Sequence, residues 1–214
     1  MESVIAVARA RFGEIHGVIH AAGVPGGGVM LKQTPARISE TLHPKIAGTR
    51  VLEAIFGESP LDFLVLCSAL VTLPGAFGHI DYTAANAFLD AFAAARSAAA
   101  RYPVLSLNWS RWQHTGMALA IEAQHQALSG EALDGMSQEE GRAAFLRLIG
   151  DRRLCEQGIA QVAVSYQPLS AVLQRSQART PTGPTQDGEA KRRPRSLHKR
   201  PATHTPFIAP STPA

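Results

Sequence analysis

Two residues of this 214-residue chain have the type and spacing for proton transfer: Tyr82 and Asn86 stand four apart in the alanine-rich stretch 80–101. On a helix, that spacing puts both side chains on one face. A tyrosine aimed into a cleft from the start of a helix acts as a general acid when a neighbouring cation lowers its pKa. Taken alone, a tyrosine at a helix start is more often a packing residue, and both readings stand at this level. His16, His20 and His79 are scattered without ligand spacing and read as structural rather than metal-binding. Cys67 and Cys155 are too few for a disulfide framework and lack metal-ligand spacing. No metal is expected, and a reducing cytoplasm is the default setting. Gly26-Gly27-Gly28 runs on into Val29 and Met30, and it does not supply the G-x-G-x-x-G turn that cradles a dinucleotide.

The elements that would position Tyr82 and Asn86 follow from periodicity. Residues 17–23 (GVIHAAG), 61–67 (LDFLVLC), 103–109 (PVLSLNW) and 161–166 (QVAVSY) read as strands, the first closed by glycine. Between the first two lies a helical stretch with Ile38, Leu42, Ile46, Thr49 and Leu52 near one face, disturbed by Pro44. The stretch 80–101 predicts a helix with Phe88 and Phe92 on one stripe. Ser137 and Glu140 form a capping box ahead of Phe145, Leu146 and Leu148. Strands alternating with helices imply an α/β fold built on an open, mostly parallel sheet.

Charge divides the chain differently. The formal charge of +4 invites a nucleic-acid reading, but residues 175–214 hold eight Lys/Arg against two Asp/Glu, and the body holds thirteen against fifteen. Half of the fourteen prolines also fall after Gln174. Residues 1–174 are therefore expected to form the globular part and 175–214 a disordered linker. Its basic run, Lys191 to Arg195, has no aromatic interleaving, so it reads as a solvated spacer rather than a nucleic-acid site. No 18-residue apolar run is present, and residues after Glu2 lack the regions of a secretory signal, so neither membrane spanning nor secretion is expected.

Several motifs occur together and in order: 17–23 (GVIHAAG), 43–49 (HPKIAGT), 61–68 (LDFLVLCS), Gly75 with Gly78, 82–90 (YTAANAFLD), and 108–112 (NWSRW) with Gly116-Met117. In these the chain resembles the ketoreductase domains of modular polyketide synthases, within the short-chain dehydrogenase/reductase superfamily, from about residue 10 to 170. Residues 25–28 (PGGG) are most similar to versions from hybrid polyketide–nonribosomal peptide assembly lines. The segment 198–210 is similar to a linker leading into a carrier domain. The resemblance implies a Rossmann-like fold and NADPH-dependent reduction of a β-ketothioester to the β-hydroxy form, the substrate being tethered by phosphopantetheine to an acyl carrier domain. It matches Tyr82 to the proton donor, Lys45 to the lysine that holds the nicotinamide ribose and favours tyrosine ionisation, and Asn86 to the asparagine supporting the proton relay. Ala21, Ala22 and Gly23 match the strand-end turn that lies against the cofactor, where a plain tight turn is an equally valid reading.

Two departures qualify that match. The family's catalytic serine stands thirteen residues before the tyrosine, and here that position is Ala69. Ser68 is adjacent, but side chains alternate along a strand, so it is expected to point away; Thr72 is a speculative substitute. Losing one such hydrogen-bond donor costs about 2.7–4 kcal/mol, on the order of 10²–10³ in rate. The second departure is the missing glycine-rich turn. The chain is expected to begin midway through the domain, with strands 1 to 3 of the order 3-2-1-4-5-6 absent and the edge of the 17–23 strand bare. The missing N-terminal half then becomes an expected partner. Trp109 and Trp112 stand where the family's substrate-covering lid begins, or simply pack in the core. Pro25-Gly26-Gly27 and Pro74 replace the family's stereochemical markers, so no product configuration is assigned. Two functional readings remain: an impaired part of a ketoreductase, or a non-catalytic remnant acting as scaffold or docking segment.

Overall fold

The structure is a computed structural model that describes residues 1–97, 99–129 and 132–178. Helices and strands alternate as α1 (Glu2–Phe12), β1 (Gly17–His20), α2 (Pro35–Phe56), β2 (Phe63–Ala69), α3 (Ile80–Ser97), β3 (Val104–Trp109), α4 (Ala118–Ser129), α5 (Gln138–Ile149), α6 (Arg152–Glu156), β4 (Gln161–Val164) and α7 (Leu169–Ala178). The strands form one sheet in the order β1-β2-β3-β4, each pair parallel. Parallel neighbours need a crossover of a dozen or more residues, which α2, α3 and the α4–α6 stretch provide. The fold is thus Rossmann-like, with helices on both faces of a parallel sheet. The last helix runs to Ala178, past the composition change at Gln174. The basic part of the proposed linker lies outside the described residues.

Two cores flank the sheet. Leu64, Leu66 and Val104 pack with Leu52 and Phe56 of α2 and Leu89 and Ala93 of α3. On the other face Val65, Leu105 and Leu107 meet Phe145, Leu148 and Ile149 of α5. Local signals fix the helix starts. Thr34 accepts the Arg37 N–H at 3.3 Å with Pro35 in the first turn of α2. The Ser137–Glu140 capping box closes both ways, with Glu140 N–H to Ser137 Oγ at 3.2 Å and Ser137 N–H to Glu140 Oε2 at 2.8 Å.

Three features differ from the sequence expectation. β1 stops at His20, because its ladder with β2 ends at the His20–Leu66 pair, and residues 21–23 turn away from the sheet. β2 runs on to Ala69, held by pairing with Trp109 of β3. Helix α2 passes unbroken through Pro44, and its buried stripe is Thr41, Lys45, Thr49, Leu52 and Phe56 rather than the more apolar one around Ile38, Leu42 and Ile46. Among the described residues no helix is long and apolar enough to cross a membrane.

Candidate active site

The C-terminal ends of β1, β2 and β3 open onto a cavity of about 780 Å³, lined among others by Ala21, Lys45, Ala69, Tyr82, Trp109 and Trp112. Ligand crevices of parallel α/β sheets lie at these strand ends. Each wall has a traceable origin. Lys45 comes from α2, is only 4% exposed, and donates from Nζ to the Cys67 carbonyl at 2.8 Å. Burial lowers its pKa, opposed by the attraction of Cys67 and Asp90 nearby. Tyr82 stands in the first turn of α3, and burial pushes its phenol above the ordinary value. Burial thus opposes the lowering by a neighbouring cation expected from the sequence, and no contribution from Lys45 offsets it.

The structure brings Ala21, Lys45, Ala69 and Tyr82 to one cavity, places Asn86 behind its wall, and leaves Ala22 and Gly23 in the turn beside it. Asn86 is fully buried; its Nδ2 donates to the Tyr82 backbone carbonyl at 2.7 Å, and its own carbonyl accepts from Ser68 Oγ at 3.3 Å. Asn86 thus holds the Tyr82 backbone, and its side chain also lies against the phenol, opposing the effect of burial on the phenol's acidity. Ala22 and Gly23 are not among the lining residues, but a Cβ on Gly23 would stand 3.3 Å from Lys45 Cε, so the turn lies against the lysine. Ser68 borders the cavity, but its hydroxyl donates to the Asn86 backbone carbonyl and accepts from Asn108 Nδ2 (3.2 Å), and Ala69 beside it offers only a methyl group. Thr72 is no substitute donor here, because it does not line the cavity and its Oγ1 lies behind the wall, accepting from Asn108 Nδ2 at 2.8 Å. Trp109 and Trp112 meet edge to face with centroids 5.1 Å apart and cover the cavity on the β3 side.

Sequence reasoning missed a second layer. Asn108 also donates to Asp90 Oδ2 at 2.8 Å, and Ser106 to Asp90 Oδ1 at 2.6 Å, so a buried polar network ties β3 to α3 behind Ser68. It also missed Asp81, whose only signal was an acidic residue immediately before the tyrosine. Among the described residues no group of three or more His, Cys, Asp or Glu could hold a metal ion.

The residues present fit one end of a nicotinamide dinucleotide. Ala21, Lys45 and Tyr82 share the cavity, and Gly23 lets the turn approach the lysine. They do not fit the pyrophosphate. The Gly27 N–H is bound to Asp81 Oδ2 at 3.2 Å and the Gly28 N–H to the Gly78 carbonyl at 2.7 Å, so two amides of this glycine run are already used and a carboxylate stands beside it, where a phosphate would be repelled.

Known proteins are similar to this chain in sequence and fold. The family model described as KR domain matches residues 1–114. A 6-methylsalicylic acid synthase of Aspergillus terreus is 34% identical over 134 residues, covering 63% of this chain and 7% of the synthase. The polyketide synthase ThaG of Burkholderia thailandensis is 33% identical over 163 residues, covering 74% of this chain and 3% of the synthase. This chain thus spans a small fraction of those multidomain relatives. Among solved structures, an N-terminal ketoreductase from the macrolactin assembly line superposes with a TM-score of 0.64 at 28% identity, over 81% of this chain and 33% of that one.

Proposed function

This chain belongs to the KR domain family, the ketoreductase domains of polyketide synthases in the short-chain dehydrogenase/reductase superfamily, and we propose that residues 1–174 form the acid-bearing part of a β-ketoacyl reductase and that residues 175–214 lead toward a carrier domain. The substrate is a β-ketoacyl thioester on the phosphopantetheine arm of an acyl carrier domain, and the product its β-hydroxy form. One observation carries this reading: Lys45 and Tyr82, from different helices, line one cavity at the ends of parallel strands. Domains of this family generally use NADPH, which supplies a hydride to the ketone carbon when bound. Tyr82 donates the proton to the ketone oxygen. Lys45, anchored on the Cys67 carbonyl, brings its ammonium to the same cavity to hold the nicotinamide ribose, with the turn Ala21, Ala22 and Gly23 lying against the cofactor. Asn86 fixes the turn of α3 from which Tyr82 projects. The N-terminal half of the domain supplies the phosphate-binding turn and covers the free edge of β1.

Ala69 and the occupied Gly27 and Gly28 amides favour a second reading, a non-catalytic scaffold segment. Complementation separates the two. The chain alone is expected to bind no NADPH by calorimetry, and micromolar binding overturns that. Combined with an N-terminal ketoreductase half carrying the glycine-rich turn, it is expected to reduce a β-ketothioester slowly. Ala69→Ser then raises the rate by on the order of 10²-fold, and Tyr82→Phe abolishes turnover. A complemented domain indifferent to both substitutions leaves the scaffold reading.

A further inference from the structure

Asp81 precedes Tyr82, is 4% exposed, and borders a separate opening on the far side of the helix start, next to Gly26, Arg37 and Pro44. Its two oxygens bind three different segments. Oδ1 accepts the Tyr82 N–H at 2.8 Å; Oδ2 accepts the Gly27 N–H at 3.2 Å and the Thr41 hydroxyl at 3.1 Å. Thr41 stands one turn before Lys45 on α2, and Gly27 belongs to the loop that follows β1. Burial alone would raise the pKa of this carboxyl, but the hydrogen bonds from Tyr82, Gly27 and Thr41 hold it below the ordinary carboxylate value.

The junction leaves no slack. A Cβ on Gly26 would come within 2.7 Å of Thr41 Cγ2 and 2.8 Å of Asp81 Oδ2. Gly27 has a φ of +127°, a backbone region closed to other residues without strain. The loop is tied further by the Gly28 N–H to the Gly78 carbonyl (2.7 Å) and by Gln33 Nε2 to the Gly27 carbonyl (2.7 Å). Asp81 therefore joins the two helices that carry Lys45 and Tyr82.

We propose that Asp81 is a positioning residue for the Tyr82–Lys45 pair: its carboxylate holds α2, α3 and the turn after β1 in the register that opens phenol and ammonium onto one cavity. The inference takes that pair from the proposed function, but its test reads the setting of Tyr82 and not turnover. A failed ketoreduction assay would leave it standing, and its own failure would leave the assay standing.

The test uses the full chain labelled with 3-fluorotyrosine, in which fluorine NMR follows the three tyrosines separately and Tyr82→Phe assigns one resonance. Asp81→Asn cannot accept both the Tyr82 and Gly27 N–H groups, because its amide nitrogen must face one of these donors. Thr41→Val keeps the charge and the Tyr82 hydrogen bond but cuts the link to α2. Both are expected to lower the Tyr82 ionisation midpoint by about 0.5 pH unit, roughly threefold in acidity, as water reaches the phenol. Tyr102 and Tyr166 stay where they are, and the amides of residues 26–28 exchange ~10-fold faster. Thr41→Ser restores the wild-type midpoint. A shift in Asp81→Asn with none in Thr41→Val overturns the proposal, since the carboxylate then acts only as a local charge and cap. No shift in either overturns it as well. If Asp81→Asn does not fold, Gly26→Ala wedges the same junction with both polar groups intact and carries the same expectation.

Discussion

Helices α3 and α1 follow opposite rules of burial. Helix α3 buries Asp81, Asn86 and Asp90 alongside Ala85, Leu89 and Ala93. Helix α1 buries none of its residues, and Val4, Val7 and Phe12 are 66%, 66% and 76% exposed. The sheet repeats the contrast, since Val65 on β2 is fully buried and Ile19 on β1 is 51% exposed. Hydropathy does not explain the difference; coverage and partners do. Each buried carboxylate on α3 is met by donors from β3, α2 or the glycine loop, which offsets the cost of desolvation. Ile5 of α1 and Val18 of β1 pack against the core, but Val4, Val7 and Phe12 of α1 and Ile19 of β1 are left exposed. One flank of the molecule is a finished core around the candidate site, and the other is a surface suited to being covered.

The sharpest way to break this comparison is to remove apolar bulk from each side. Leu89→Ala is expected to lose about 2–5 kcal/mol of stability in urea unfolding, whereas Val7→Ala stays within about 0.5 kcal/mol. Equal losses would mean that α1 belongs to the core after all. A smaller effect concerns pH. Burial under α2 lowers the His20 pKa below its ordinary value of 6.5, so between the lowered and the ordinary value the unfolded chain binds the extra proton. Stability is then full above 6.5 and declines as the pH falls below it, by at most about 1.4 kcal/mol per pH unit. His20→Gln should flatten that slope, and an unchanged slope would assign it to another group. The smallest effect on folding is expected for Ile19→Lys, within about 0.5 kcal/mol. The same change should nevertheless reduce light scattering by concentrated protein, because a lysine blunts an open sheet edge. Unchanged scattering would show that the β1 flank does not drive association.

Much of the architecture was legible in the residues. The alternation of apolar runs with helical stretches gave the parallel sheet, and the Ser137–Glu140 box marked the start of α5. Errors fell where the physical signal was non-local. β1 was read through to Gly23 because β-branched and small residues suit a strand, but a strand ends where its partner's ladder ends. The inward face of α2 was misjudged by one position because periodicity follows hydrophobicity, and that face carries Thr41, Lys45 and Thr49. Ser68 and Thr72 could be nominated as donors from spacing, but their hydroxyls are committed to Asn86 and Asn108, which arrive from other elements.

The sequence alone determined the order of elements, the family pattern that picks out Lys45, Tyr82 and Asn86, and the alanine at position 69, because these depend on residue type and short spacing. Only the tertiary structure decided which polar groups face the cavity and which are used up behind it. Lys45 finds the Cys67 carbonyl across 22 positions, and Asp81 finds the Gly27 amide across 54. A buried polar group is tolerated only with a partner in place, and partners so distant in sequence exist only once the sheet has brought them together.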